Sequence, residues 1–169
     1  ETYAIMKSLI IKFNNCSREI SNSLWYIVRE IMKDANWQLM ASLDDLLPIM
    51  AEINGQEYIN QLNSFIGKQE EVDKLFNETE DNIFNTKYVY GIYWSLELLA
   101  WDPTYLMLVF DIFCKIERYD KEIIKSMVRI LLPWYPQTKA DIDLRVATVE
   151  MILKECNEIG WRLLIKLMP

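Results

Sequence analysis

Apolar residues recur along much of the chain at intervals of three and four, the spacing that places them on one face of an α-helix. The first clear stripe has spacings of four, three, one and three, and its members are Ile20, Leu24, Ile27, Val28 and Ile31. Alternation of apolar and polar residues over strand-length windows is scarce. The pattern therefore predicts an all-α chain, with ten short helices over residues 2–14, 17–33, 42–53, 55–66, 70–77, 87–101, 103–118, 121–134, 139–156 and 158–168.

Turn-forming residues separate these predicted helices. Asn54-Gly55 is expected to end one helix in the left-handed conformation. Asp102-Pro103 is expected to start another, because Asp is a common N-cap and Pro suits the first helical position. The polar segment 77–86 is predicted to be a flexible loop.

A weak internal sequence repeat accompanies the short helices. Apolar helices are expected to end in a proline at Pro48, Pro133 and Pro169, and the last two prolines are 36 residues apart. Helical repeats have periods of about 34–47 residues. The sequence therefore predicts stacked helical hairpins, that is, a HEAT-like α-solenoid forming a single domain over residues 1–169.

Composition removes several classes of enzyme. The chain has 169 residues, of which 51% are hydrophobic, so it can bury a sizeable core, and it contains no His. Ser-His-Asp and Cys-His triads, His-ligated zinc and His acid–base chemistry are therefore excluded. The four glycines all stand alone, so no phosphate-binding glycine loop is present. We expect a non-enzyme without cofactor or metal.

The formal net charge of −7 argues against a nucleic-acid partner, because binding to phosphates requires a basic face. The acidic excess is greatest at Glu70, Glu71, Asp73, Glu78, Glu80 and Asp81. This set is either a solvated surface or a docking surface for a basic protein partner.

Cysteine usage and hydropathy bear on the compartment. Cys16, Cys114 and Cys156 are far apart and odd in number, which is typical of structural thiols in a reducing compartment. No apolar stretch reaches the ~18 residues that span a membrane. We expect a cytoplasmic protein that does not bind membranes. The start at Glu1 and the apolar residues before Pro169 suggest a piece of a longer chain.

Two acidic pairs could in principle support carboxylate-based or metal-assisted hydrolysis. Asp44-Asp45 resembles the first half of the metal motif of helical terpene synthases, but Pro48 stands where a further acid is needed. Asp141 and Asp143 are two residues apart, so they do not share a helix face. Both pairs are better explained as residues that stabilise helix N-termini.

Aromatic residues are concentrated in one region, at Tyr88, Tyr90, Tyr93, Trp94, Trp101 and Tyr105. Either they line a ligand-binding cleft or they form a helix–helix interface. We expect Trp94, Trp101 and Trp134 to be buried structural anchors at the corners between helices. Gly91 would allow close approach of a neighbouring backbone.

A second apolar stripe lies near the end of the chain, at Trp161, Leu164, Ile165 and Met168. It is either part of the core or a surface that meets a further repeat. If exposed, it would act as an interaction patch.

Four strings of sequence together resemble a helical, HEAT-like region found within very large bacterial multidomain proteins. They are residues 37–48, 94–106, 131–138 and 160–164, and the resemblance spans about residues 20–168. Some of those proteins resemble defence or signalling proteins with an effector or P-loop ATPase module elsewhere in the chain. The chain departs from that pattern after Asp120, where a longer polar loop is expected.

The sequence thus supports a non-catalytic helical-repeat scaffold, sensor or protein-binding module of a larger bacterial protein. Its partner would be another domain of the same chain or a separate protein. Two alternatives remain open: a small helical inhibitor or immunity protein that binds a basic partner through its acidic surface, and a carboxylate-based or metal-assisted hydrolase.

Overall fold

The computed structural model describes residues 18–77 and 88–168, and within them every regular element is helical. Helices cover 75% of these residues, which confirms the predicted all-α class. A 3-10 turn, Asp44–Leu46, lies between the second and third α-helices. The α-helices are α1 (Arg18–Met32), α2 (Trp37–Ser42), α3 (Leu47–Ile53), α4 (Gly55–Ile66), α5 (Gln69–Asn77), α6 (Tyr90–Ala100), α7 (Leu106–Ile116), α8 (Ile123–Leu131), α9 (Ile142–Glu155) and α10 (Asn157–Leu167).

Two predicted elements fall largely outside the described residues, and one observed helix was not predicted. The helix predicted over 2–14 and nearly all of the loop predicted over 77–86 lie outside the described residues. The short helix α2 was not predicted. Asn36 caps it by accepting a hydrogen bond from the Leu39 backbone N–H at 2.9 Å.

Two turn predictions are wrong in detail. Asn54 adopts an extended conformation and caps α4 through the Glu57 N–H at 3.0 Å, so no left-handed turn is needed. Asp102 accepts a hydrogen bond from the Thr104 N–H at 2.9 Å, and α7 begins only at Leu106. The Asp102 side chain thus stabilises a tight turn before the helix rather than the helix N-terminus itself.

The chain divides into two compact units, residues 1–95 and 96–169. In the first unit, α1 packs against α3 and α4, α3 and α5 pack against α4, and α2 packs against α5. The largest fully buried side chains of this unit are Met40, Leu47, Met50, Tyr58, Leu62, Leu75 and Ile92.

The second unit contains two helical hairpins, α7–α8 and α9–α10. The helices of each hairpin contact each other, α9 packs against α7, and α10 packs against α8. α7 begins at Leu106 and α9 at Ile142, 36 residues later. Phe110 and Phe113 of α7 are buried, and their rings meet edge to face with centroids 5.6 Å apart.

Candidate functional site

An open apolar groove lies between α9 and α10 in the second unit. Its volume is about 380 Å³, which falls in the range of protein binding sites. The apolar residues that line it are Leu131, Pro133, Ile142, Val146, Val149, Leu153, Leu164, Leu167 and Met168, and the polar ones are Arg145 and Glu150. This surface, which we call the α9–α10 groove, is the candidate binding site.

Helices α9 and α10 form the two walls of the groove and meet closely near their turn, while Leu131 and Pro133, at and just after the end of α8, complete the lining. A Cβ placed on Gly160 of α10 would lie 2.7 Å from the Leu153 Cα of α9. From that contact the lining residues run toward Ile142 at the start of α9 and Met168 after the end of α10. Glycine thus lets the helices meet at one end of the hairpin, while larger side chains line the groove along the rest.

Two members of the stripe predicted near the chain terminus, Leu164 and Met168, line the α10 side of this surface, whereas Trp161 and Ile165 do not. Trp161, Ile165 and Met168 are exposed, and Leu164 is half-buried in the wall of the groove. Three of the four stripe residues are therefore at the surface rather than in the core. The α9 wall was missed, although Ile142, Val146, Val149 and Leu153 are spaced four, three and four residues apart.

The polar residues of the groove differ in how they are held. The guanidinium of Arg145 donates to the Leu132 carbonyl oxygen at 3.1 Å, which orients it at the rim. The side chain of Glu150 is exposed. The groove therefore presents an anchored positive charge and a solvated negative charge beside its apolar wall.

The predicted acidic surface divides into residues with different roles. Glu70 and Asp73 are exposed on α5. The carboxylate of Glu71 accepts the Trp37 N–H at 2.8 Å and lies 3.9 Å from Lys74 Nζ. Glu71 therefore stabilises the start of α2. The remaining members of the set, Glu78, Glu80 and Asp81, lie outside the described residues.

The expectation that three tryptophans are buried is wrong. The exposed fractions are 65% for Trp94, 49% for Trp101 and 64% for Trp134. Buried aliphatic residues such as Leu96 on α6 and Leu131 at the end of α8 fill core positions, whereas Trp101 directly follows α6 and Trp134 lies three residues beyond α8. Trp101 retains a partner, since Lys139 Nζ lies 5.9 Å from the centre of its ring.

A half-buried hydrogen bond in the first unit joins the 3-10 turn to α6. The Gly91 N–H donates to Asp44 Oδ1 at 2.8 Å. A Cβ on Gly91 would lie 1.8 Å from the Asp44 carbonyl oxygen, which confirms the predicted close backbone approach. Burial raises the pKa of Asp44, and the Gly91 hydrogen bond partly opposes that rise.

A second polar contact lies deeper in the same unit. The hydroxyls of Tyr58 on α4 and Ser95 on α6 are 2.5 Å apart, and Ser95 also donates to the Ile92 carbonyl oxygen. Burial raises the pKa of Tyr58 well above its ordinary value, so it stays a neutral hydroxyl. The contact holds α4 against α6 and offers no acid or base near neutral pH.

Two cysteines that are distant in sequence lie together in the second unit. Cys114 is in the last turn of α7, Cys156 joins α9 to α10, both thiols are free, and the two side chains lie near each other. Burial, and then the nearby Cys156, raises the pKa of Cys114. Because the thiolate is the nucleophile, this environment disfavours a reactive Cys114.

A buried carboxylate fastens α10 to the end of α7. Glu117 is nearly inaccessible and forms an ion pair with Arg162, with Lys121 Nζ at 3.7 Å. The ion pair with Arg162 compensates the charge of the buried Glu117 carboxylate, so this carboxylate has a structural role.

The described residues contain no group of three or more acidic or Cys side chains placed to hold a metal ion. Asp141 caps α9 by accepting the Leu144 N–H at 2.8 Å, as predicted from its position. In the same part of the chain, no helix combines the length and hydrophobicity required to cross a bilayer.

Comparison with protein-family models, curated proteins and solved structures found no match for this chain.

Proposed function

We propose that this chain is a non-catalytic helical-repeat module that serves as a scaffold, sensor or protein-binding segment of a larger bacterial protein. The observation that carries this proposal is the stacking of two hairpins in the second unit, α7–α8 and α9–α10, whose first helices begin 36 residues apart. Stacked hairpins of this period are the building unit of helical-repeat proteins, which commonly bind other proteins along their surfaces. The HEAT-like class and the bacterial host follow from the sequence resemblance.

The polar contacts support a scaffold over an enzyme. The half-buried Asp44 and the buried Tyr58 and Glu117 each have a structural partner, in the Gly91 N–H, the Ser95 hydroxyl and Arg162 respectively. The α9–α10 groove has an apolar wall with charges only at Arg145 and Glu150. Such a surface suits association with another apolar surface better than it suits proton transfer.

The test is isolation of a defined complex. The tagged chain is used to capture partners from its native cell, and each candidate is then purified and mixed with the chain at known concentrations. We expect a stoichiometric complex by size-exclusion chromatography with light scattering. We also expect no turnover of ester, glycoside or phosphoester substrates.

One double variant and two single variants separate this proposal from its alternatives. Reversing the exposed charges with Glu70→Lys and Asp73→Lys should leave the complex intact. If that double variant abolishes binding to a basic partner, the inhibitor or immunity-protein hypothesis replaces this one. Turnover that is lost in Asp141→Asn or Asp143→Asn would overturn the non-catalytic assignment.

A further inference from the structure

The α9 wall of the groove has the spacing of a coiled-coil seam. Ile142, Val146, Val149 and Leu153 follow one another at four, three and four residues, which fits the alternating d and a positions of a heptad. The buried face of α9 is a different one, marked by Thr148 and Ile152. Helix α9 therefore carries one apolar face inside the unit and another on the wall of the groove.

Charged residues flank this seam in the positions that select a partner helix. Arg145 precedes Val146 and Glu150 follows Val149, which places them on opposite sides of the apolar row. These are the g and e positions of a heptad in which Val146 is a and Val149 is d. A helix in the groove would meet a positive charge along one edge and a negative charge along the other.

The α10 wall continues the existing interface between the two helices. Leu164, Leu167 and Met168 line the groove opposite α9, and the helices meet closely at Gly160. A third helix laid between the walls would extend the packing that already joins α9 to α10. Each wall would then contribute side chains to the same three-helix contact.

The chemistry of the lining favours a helix over an extended peptide. A peptide strand brings backbone N–H and C=O groups that need partners, and the groove offers polar side chains only at Arg145 and Glu150. A helix satisfies its backbone groups internally and presents only side chains. Recognition of an amphipathic helix in a hydrophobic groove follows this logic.

The geometry points to one amphipathic α-helix of a partner protein as the occupant of the α9–α10 groove. Its apolar residues repeat at three and four, with an acidic side chain facing Arg145 and a basic one facing Glu150. This inference rests on the proposed function, since it names the partner of a protein-binding module.

The test uses a synthetic peptide of about 20 residues, long enough to form a helix in water. The matched peptide carries Leu at the seam positions, Glu facing Arg145 and Lys facing Glu150, and the swapped peptide exchanges the two charges. Binding to the full chain is measured by fluorescence anisotropy. The variant Ile142→Glu is compared with Ile165→Glu, because these isoleucines are 56% and 63% exposed and only Ile142 lines the groove.

We expect Ile142→Glu to weaken binding of the matched peptide at least about tenfold, whereas Ile165→Glu changes it less than about twofold. The matched peptide should bind about twofold more tightly than the swapped one, and Glu150→Lys should reduce or reverse that preference. Absence of peptide binding, or equal effects of the two isoleucine variants, would overturn the inference.

Two further outcomes would assign the groove to another occupant and overturn the inference. One is tight binding of a small apolar dye that the peptide cannot displace. The other is self-association of the chain that Ile142→Glu abolishes. If a stoichiometric protein complex forms but is insensitive to Ile142→Glu, this inference fails while the proposed function stands.

Discussion

The two units of the chain bury their helices in contrasting ways. In the first unit, close polar contacts hold the first part of α6, through Asp44 with Gly91 and Tyr58 with Ser95. In the second unit, hairpins stack through aliphatic and aromatic side chains, and an apolar groove remains open between α9 and α10. The first arrangement requires particular donors and acceptors to meet. The second leaves apolar surface exposed in the groove.

This difference separates residues that determine the fold from residues available for binding. A hydrogen bond between buried groups is lost if either partner moves, so it specifies one arrangement. An aliphatic wall tolerates different neighbours of similar shape, so it can receive another helix. We therefore expect substitutions in the first unit's contacts to act on stability, and substitutions in the groove to act on binding.

The largest effect should come from Gly91→Ala. The new Cβ would meet the Asp44 carbonyl oxygen, a backbone atom that cannot rotate away, so we expect a loss of about 3 kcal/mol in the free energy of unfolding. Urea denaturation measures it. The matched control is Gly67→Ala, where the nearest atom lies at 3.4 Å and the change should stay within about 1 kcal/mol. Equal stability of the two variants would contradict the close approach.

In the second unit, Arg162→Met should cost about 2–3 kcal/mol. It leaves the buried Glu117 carboxylate with only the more distant Lys121, and an incompletely paired buried charge is destabilising. Lys125→Met, which removes a partner of the exposed pair with Glu122, should cost less than about 0.5 kcal/mol. If both variants unfold at the same urea concentration, the Glu117 ion pair does not stabilise the unit.

Tyr58→Phe removes one hydroxyl from the buried contact in the first unit. Because Ser95 can still donate to the Ile92 carbonyl oxygen, we expect a moderate cost of about 1–2 kcal/mol. Tyr135→Phe, at an exposed position, should be neutral. Thermal unfolding of both variants provides the comparison, and a Tyr58→Phe protein as stable as the parent would show that the hydroxyl contact contributes nothing.

The exposed tryptophans should contribute little to stability. We expect Trp94→Ala, Trp101→Ala and Trp134→Ala each to cost less than about 1 kcal/mol, since most surface substitutions have small effects. Leu106→Ala, at a fully buried position, should cost about 2–5 kcal/mol. A tryptophan variant as unstable as Leu106→Ala would restore the anchor hypothesis for that residue.

The smallest effect should be the pH dependence contributed by Asp44. Its pKa is raised in the folded state, so the folded protein binds the proton more tightly than the unfolded chain. Ionisation therefore lowers stability as the pH rises from the ordinary pKa near 3.8 through the raised value. Asp44→Asn keeps an acceptor for the Gly91 N–H and removes this titration. Urea unfolding should show that the free energy of unfolding of the variant, relative to that of the parent, is higher at pH 7 than at pH 3. A difference that is the same at both pH values would contradict the assignment.

Helix positions could largely be predicted from the sequence, because helical hydrogen bonds and stripes involve residues three and four apart. Helix α4 was predicted as residues 55–66 and is found there. The boundaries at Asn54 and Asp102 were misjudged because a capping side chain can serve the helix before it, the helix after it or a turn. The choice depends on which backbone N–H lies within its reach.

The candidate site could be predicted only in part. The α10 stripe was visible as a possible interaction patch, but the α9 wall was hidden, since apolar residues on two faces of α9 give no single stripe. The aromatic residues led to a wrong prediction of burial, because an apolar ring at helical spacing does not reveal whether another helix covers it.

What the residue order determined here is the helical class, the approximate course of the helices and the need for glycine at Gly91. These features depend on interactions between near neighbours or on the absence of a side chain. Tertiary structure decided that Trp94 is exposed, that Cys114 meets Cys156, and that the groove stays open beside the stacked hairpins. Each of these outcomes depends on which distant segments pack together, and burial of apolar surface is non-directional, so several partners could have covered the same stripe.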